Sequence, residues 1–225
     1  MDLFAAYPAL RALPHPAIEG RSLRLIALAA LPYDREGYYF ALSEPRYWIR
    51  RAGTTAIGLG GLQTRPDARP PFQTLSRHLR QVWHSRADLP PAEHLYLLWP
   101  EDEEIVPLEG VRERWGLPHL LLLTPPRLGG EPMPDALAQA VYFLRLRRPP
   151  HAARPLLRVA HEALPTFLTR VEPWPVAELR AAPWATLLGA EALPADGQLR
   201  PILALRALQR LHHAGLFPLH TERSR

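Results

Sequence analysis

The sequence predicts an α+β protein. An antiparallel or mixed sheet in the N-terminal half is packed with helices, and the C-terminal part is mainly helical. Three patterns carry this. Short aromatic or β-branched runs broken by turn residues fill positions 21–59. A 3.6-residue apolar stripe runs over Phe72–Trp83. After Pro125, longer segments open at prolines, which suit first helical turns. At 225 residues the chain allows two units, 1–125 mixed and 126–225 helical, or one continuous domain.

In order along the chain, Pro8, Pro14 and Pro16 limit residues 1–20 to an arm or a short helix. Arg21–Ala30 alternates weakly and reads as a strand. Tyr38–Leu42, Tyr47–Arg51 and Thr54–Leu59 read as a meander, interrupted at Glu44-Pro45 and Ala52-Gly53 and closed by Gly58, Gly60 and Gly61. Phe72–Arg86 is a helix, with Phe72, Leu75, Leu79, Val82 and Trp83 on its inner stripe. His94–Trp99, Ile105–Leu108 and His119–Leu123 are short strands, and Pro107 confines the second to a sheet edge. A helix is expected from Pro134 to about Arg148, with Leu137, Val141 and Leu144 inward. Another follows from Pro155 over Leu156–Leu164. The last helix, Pro201–Ala214, buries Leu205, Leu208 and Leu211, with Gly215 at its cap.

Composition excludes some chemistry. There is no cysteine, so disulfides, zinc–thiolate sites and thiol nucleophiles are ruled out. No run approaches the roughly 18 apolar residues of a membrane-spanning helix. No secretory signal pattern opens the chain. The expectation is a cytoplasmic protein without a membrane partner.

All 27 basic residues are arginine, and lysine and asparagine are absent. With arginine, proline, alanine and leucine all plentiful, this is the mark of a GC-rich genome, and it weakens the weight of any one arginine. The net charge of +5 is mild for this length. Its distribution says more: residues 1–100 carry +4, 101–150 carry −2 and 151–225 carry +3.

Two basic segments stand out. Arg46–Arg86 holds eight arginines against one acid, Asp67, with Tyr47, Trp48, Phe72 and Trp83 interleaved. Ala136–Ala160 holds no acid, but has Arg145, Arg147, Arg148, Arg154 and Arg158 with Tyr142, Phe143 and His151. Guanidinium groups beside aromatic rings suit phosphates and stacked bases. The candidate phosphate contacts are Arg50, Arg51, Arg77, Arg80, Arg145, Arg147 and Arg148, with Trp48 as a stacking ring. Arginines in the last turn of a helix over 134–148 would also complement its C-terminal dipole, a purely structural role.

Other motifs carry less. Gly58-Leu59-Gly60-Gly61 lacks the third glycine and the immediate helix of a dinucleotide fingerprint, and a tight turn or bulge suffices. The ten histidines show no metal spacing: Pro165 stands where an HExxH motif starting at His161 needs its second histidine. They read as surface or capping residues. Glu101–Glu104 reads as a solvated turn.

No catalytic residue, metal or cofactor is therefore expected. The sequence favours a non-catalytic, arginine-rich subunit of a nucleoprotein assembly, with RNA or DNA and other protein subunits as partners. Two alternatives stand beside it: a small enzyme holding an anionic metabolite, and a protein-binding scaffold.

Overall fold

The apolar run LRLIALAALPYD becomes β1 (Leu23–Asp34), a 12-residue strand. It lies inside a computed structural model that describes residues 2–13, 18–43, 54–59, 65–90, 92, 94–99, 104–108, 116–123, 127–128, 131–132, 135–151, 155–170, 172–201 and 203–217. Before β1 come a short helix, α1 (Leu3–Ala6), and a 3-10 turn, Pro8–Ala12. After it come β2 (Gly37–Ser43), β3 (Thr54–Leu59), α2 (Pro71–Trp83), β4 (Ala87–Asp88), β5 (Leu95–Leu98), β6 (Ile105–Leu108) and β7 (Leu120–Leu123). The two-residue strands β8 (Arg127–Leu128) and β9 (Glu131–Pro132) pair with each other. The chain continues through β10 (Ala136–Leu146), β11 (Leu156–Val159), a 3-10 turn at His161–Ala163, α3 (Leu164–Thr169), β12 (Trp174–Pro175) and α4 (Val176–Ala181). It closes with β13 (Ala185–Leu188), β14 (Gln198–Pro201) and α5 (Leu203–His213).

Among the described residues, twelve strands form one mixed sheet, in the order β12-β14-β3-β2-β1-β10-β7-β5-β6. Off this path, β11 pairs with β2 and β13, and β4 pairs with β10. Strands from both sides of residue 125 alternate within it. The expected mainly helical C-terminal part is therefore overturned: β10, β11, β13 and β14 lie there, and α3 and α4 are only six residues each.

The helix expected over 134–148 is the clearest correction. Ala136–Leu146 is extended and runs parallel to β1 from Leu23↔Ala136 to Tyr33↔Arg145. Helix propensity in an alanine-rich segment yields when tertiary pairing buries both faces of a strand. Likewise Leu156–Val159, expected to continue a helix from Pro155, is a strand sandwiched between β2 and β13. The helix starts only at Leu164.

Each sheet face carries its own core. On one face α1, the first 3-10 turn and α2 cover Leu23, Leu25, Leu28 and Ala30 of β1 and Ala138, Ala140, Tyr142 and Leu144 of β10. On the other, α3, α4 and α5 cover Ala29, Leu31 and Tyr33 of β1 and Val141 and Phe143 of β10. A bulge between Leu25 and Ala27 makes this division possible. One added residue reverses which parity faces which core, and Ile26 is turned outward, 42% exposed.

Other expectations hold locally. α2 buries Leu75, Leu79 and Trp83, and stops at His84, which takes a left-handed conformation (φ 49°). Among the described strands, β6 is the last at its end of the sheet. α5 buries Leu205, Leu208 and Leu211, and Gly215 (φ 70°) follows, its N–H donating to the His212 carbonyl at 2.9 Å. The expected strand Tyr47–Arg51 and the turn at Gly60-Gly61 lie outside the described residues.

The β1–β2 hairpin turns on Asp34 and Gly37. The Asp34 carboxylate accepts from the Glu36 N–H and the Tyr39 hydroxyl, both at 2.8 Å. Gly37 has φ 151°, and a Cβ there would stand 2.2 Å from the Val159 carbonyl oxygen of the neighbouring strand. Only glycine lets β11 close onto β2 at this point.

Two substitutions test these packing arguments. Gly37→Ala forces a backbone collision in addition to the roughly 1–3 kcal/mol of an unfavourable backbone region, and lowers the urea midpoint sharply. Phe143→Ala empties a fully buried site stacked on His119 and packed on Phe217, at a cost of about 3–5 kcal/mol. Unchanged midpoints would contradict the corresponding contacts.

Candidate nucleic-acid interface

Of the eight residues expected to contact nucleic acid, Trp48, Arg50 and Arg51 lie outside the described residues. Arg77 and Arg80 lie on α2. Arg145 lies in β10, and Arg147 and Arg148 follow its end. These last three are not in the final turn of a helix, so no helix dipole accounts for them.

The fold brings the two basic segments together. β10 ends where the chain leaves α2. Arg147 N–H donates to the Arg86 carbonyl at 2.9 Å, and His151 N–H donates to the Trp83 carbonyl at 3.0 Å. Beyond the first of these, β4 pairs antiparallel with β10, Ala87 opposite Leu146 and Asp88 opposite Arg145. Ser85 is buried beneath, its hydroxyl donating to the Arg148 carbonyl at 3.0 Å. The result is a ridge exposing His84, Arg86, Arg145, Arg147, Arg148 and His151. Among its described residues, Asp88 is the acid.

Asp88 and Arg147 form a fork: Arg147 Nε lies 3.1 Å from both carboxylate oxygens and Nη2 lies 2.7 Å from one. This hydrogen bonding, more than the charges of Arg147 and Arg145, holds the Asp88 carboxyl below the usual carboxylate range, and the same contact raises Arg147. With side chains 61% and 40% exposed, the pair orients groups more than it stabilises the fold. Arg86 and Arg148 form no ion pair with another described residue. Asp88 thus holds Arg147 directly and stands opposite Arg145 in the strand pairing.

The outer face of α2 is organised by Asp67. Its carboxylate accepts from Thr74 Oγ1 at 2.6 Å, from the Arg69 N–H at 2.8 Å and from Arg77 Nη2 at 2.6 Å; Arg69 Nη1 stands at 3.2 Å. The Thr74 hydroxyl, then the Arg69 amide, lower its pKa most, and the two guanidinium charges add to this. Arg77 therefore has a structural partner already, tying the loop before α2 to the helix. Arg80 is exposed and donates through Nε to the Ser76 carbonyl one turn earlier, at 3.3 Å. Beside them lies an open groove of about 480 Å³ lined by Arg69, Phe72, Gln73, Ser76, Arg77 and Arg80.

Sequence reading passed over Arg86, Arg69 and His84 as contacts. Their places depend on the β4–β10 pairing and on the Asp67 cluster, and neither leaves a local pattern. The histidines read as surface or capping groups, and one of them is neither. His119 is buried, stacked on Phe143 at 4.3 Å between ring centres, with Nδ1 accepting from the Phe143 N–H at 3.2 Å. Among the described residues no three His, Asp or Glu side chains gather as a metal site would require. No described helix is long and apolar enough to cross a membrane.

No family model matches the chain. No curated protein matches it. Among solved structures it is similar to the solution structure of the E. coli ORF135 protein, at 14% identity and a TM-score of 0.36, over 64% of this chain and 79% of that one. Likeness at that level carries no argument about function.

The Asp67 cluster predicts a pH-dependent effect. A carboxyl whose folded pKa is depressed stabilises the fold above its unfolded value, near pH 4, and loses that contribution as pH falls. Asp67→Asn lowers the melting temperature at pH 7, and the gap to the parent narrows as pH drops through the carboxylate range. A gap that stays constant with pH would assign the loss to packing instead.

Proposed function

We propose that this chain is a non-catalytic, cytoplasmic subunit of a nucleoprotein assembly that holds nucleic-acid backbone on the ridge formed by Arg86, Arg145, Arg147 and Arg148, with Arg80 on the adjoining helix. The observation that carries this reading is the convergence at the end of β10. Two acid-poor segments some 60 residues apart in the chain meet through β4–β10 pairing and expose their arginines side by side. Strand pairing fixes the backbone that carries these arginines, and phosphate contacts of this kind release counterions without reading sequence. Arg77 is no part of this ridge: it lies on the outer face of α2, held by Asp67. Other protein subunits complete the assembly in this reading.

The test is fluorescence anisotropy of the purified chain with short single- and double-stranded RNA and DNA over a salt series. Log affinity falls steeply with log salt, and the double variant Arg86→Glu, Arg148→Glu binds more weakly on every sequence, with a slope shallower by about two. Absence of binding at low salt, or an unchanged double variant, would remove the proposal.

A further inference from the structure

The groove on the outer face of α2 differs chemically from the ridge. Among the described residues its charged side chains are three guanidinium groups, Arg69, Arg77 and Arg80, and its other polar ones are the amide of Gln73 and the hydroxyl of Ser76. Asp67 anchors two of the three guanidiniums without neutralising the set. It takes Nη2 of Arg77 and Nη1 of Arg69, and a guanidinium has five N–H donors. Arg80 uses only Nε, on a carbonyl of its own helix. Donors thus remain on all three arginines, and two of those arginines are already fixed in place. Such preorganisation lowers the entropy lost when an anion arrives.

The charge and size of the groove select the ligand. A backbone diester carries one negative charge and is served by one arginine. Three arginines against one carboxylate match a phosphate monoester, which carries nearly two charges and three terminal oxygens at neutral pH. About 480 Å³ lies within the range of small-molecule sites and leaves room for an organic group beyond the phosphate. Phe72, half-buried against the core at the start of the helix, offers that group an apolar ring face.

We propose that this groove binds a small phosphate monoester, with the phosphate on Arg69, Arg77 and Arg80 and the organic part against Phe72. The monoester has two possible sources, a free mononucleotide or the 5′-phosphate end of a nucleic-acid strand. The proposal goes beyond the ridge and shares only Arg80 with it.

The experiment is calorimetric titration of the whole chain with adenosine monophosphate, with adenosine, and with a short oligonucleotide carrying either a 5′-phosphate or a 5′-hydroxyl. Adenosine monophosphate binds saturably and adenosine does not. Arg80→Ala, an exposed change that leaves the Asp67 cluster whole, weakens binding about tenfold or more with an unchanged melting temperature. Phe72→Leu weakens it while inorganic phosphate binding persists. Preference for the 5′-phosphorylated strand over its 5′-hydroxyl twin makes a strand end the source; equal binding of the two makes it a free metabolite. No binding of adenosine monophosphate at low salt, or binding unaffected by Arg80→Ala, overturns the proposal. The ridge variant Arg86→Glu, Arg148→Glu keeps its affinity for adenosine monophosphate, so failure of the groove and failure of the ridge are read separately.

Discussion

The parallel pairing of β1 with β10 is the constraint on which the rest depends. It runs from Leu23↔Ala136 to Tyr33↔Arg145 and lies near the middle of the sheet. Both strands are apolar on both sides, so each can supply two cores at once. Its N-terminal end is tied at the surface, where Asp135 accepts from the Ser22 hydroxyl and, at 2.9 Å, from Arg24. Its register fixes where β10 ends, and that end sets the place of Arg145, Arg147 and Arg148. The ridge is thus a consequence of core pairing rather than a separate local structure.

The bulge at Ile26 is the local adjustment that makes the pairing work. Without the extra residue, Leu23 and Leu25 would share a face with Ala27 and Ala29. Leu28 and Ala30 would then point into the opposite core. β10 has no matching irregularity in its register with β7. One extra residue in one strand reconciles the two, at the cost of leaving a large apolar side chain in water.

Much of the local structure was legible in the sequence. α2 and α5 declare themselves by apolar spacing, and the residues they bury are largely the expected ones. β10 was misread because two periods fit it. Leu137, Val141 and Leu144 make a helical stripe, while Ala136, Ala138, Ala140, Tyr142 and Leu144 make an alternating one. Burial on both faces erases the polar positions that would have told them apart. The run Val141-Tyr142-Phe143 was the strand signal that alanine content masked. At the candidate site, the arginine excess was plain, but the meeting of Arg86 with Arg147 was not. That meeting is a hydrogen bond between distant segments, with no periodicity to betray it. Asp67 stood out as the lone acid in a basic stretch, and its role as the anchor for Arg69 and Arg77 emerges only from geometry.

The separation between β1 and its partner has a consequence for synthesis. Ser22 and Asp135, which meet at the start of the pair, are 113 residues apart. At roughly 5–20 residues per second on the ribosome, β1 waits several seconds or more for the strand that covers its edge. During that interval the edge that β10 will cover, from Leu23 to Tyr33, is an open apolar template, the kind of segment that joins other chains. Contacts of such long range also slow spontaneous folding, since loop closure comes before the stabilisation it brings. A chain stopped before β10 therefore keeps that edge open and is prone to aggregate.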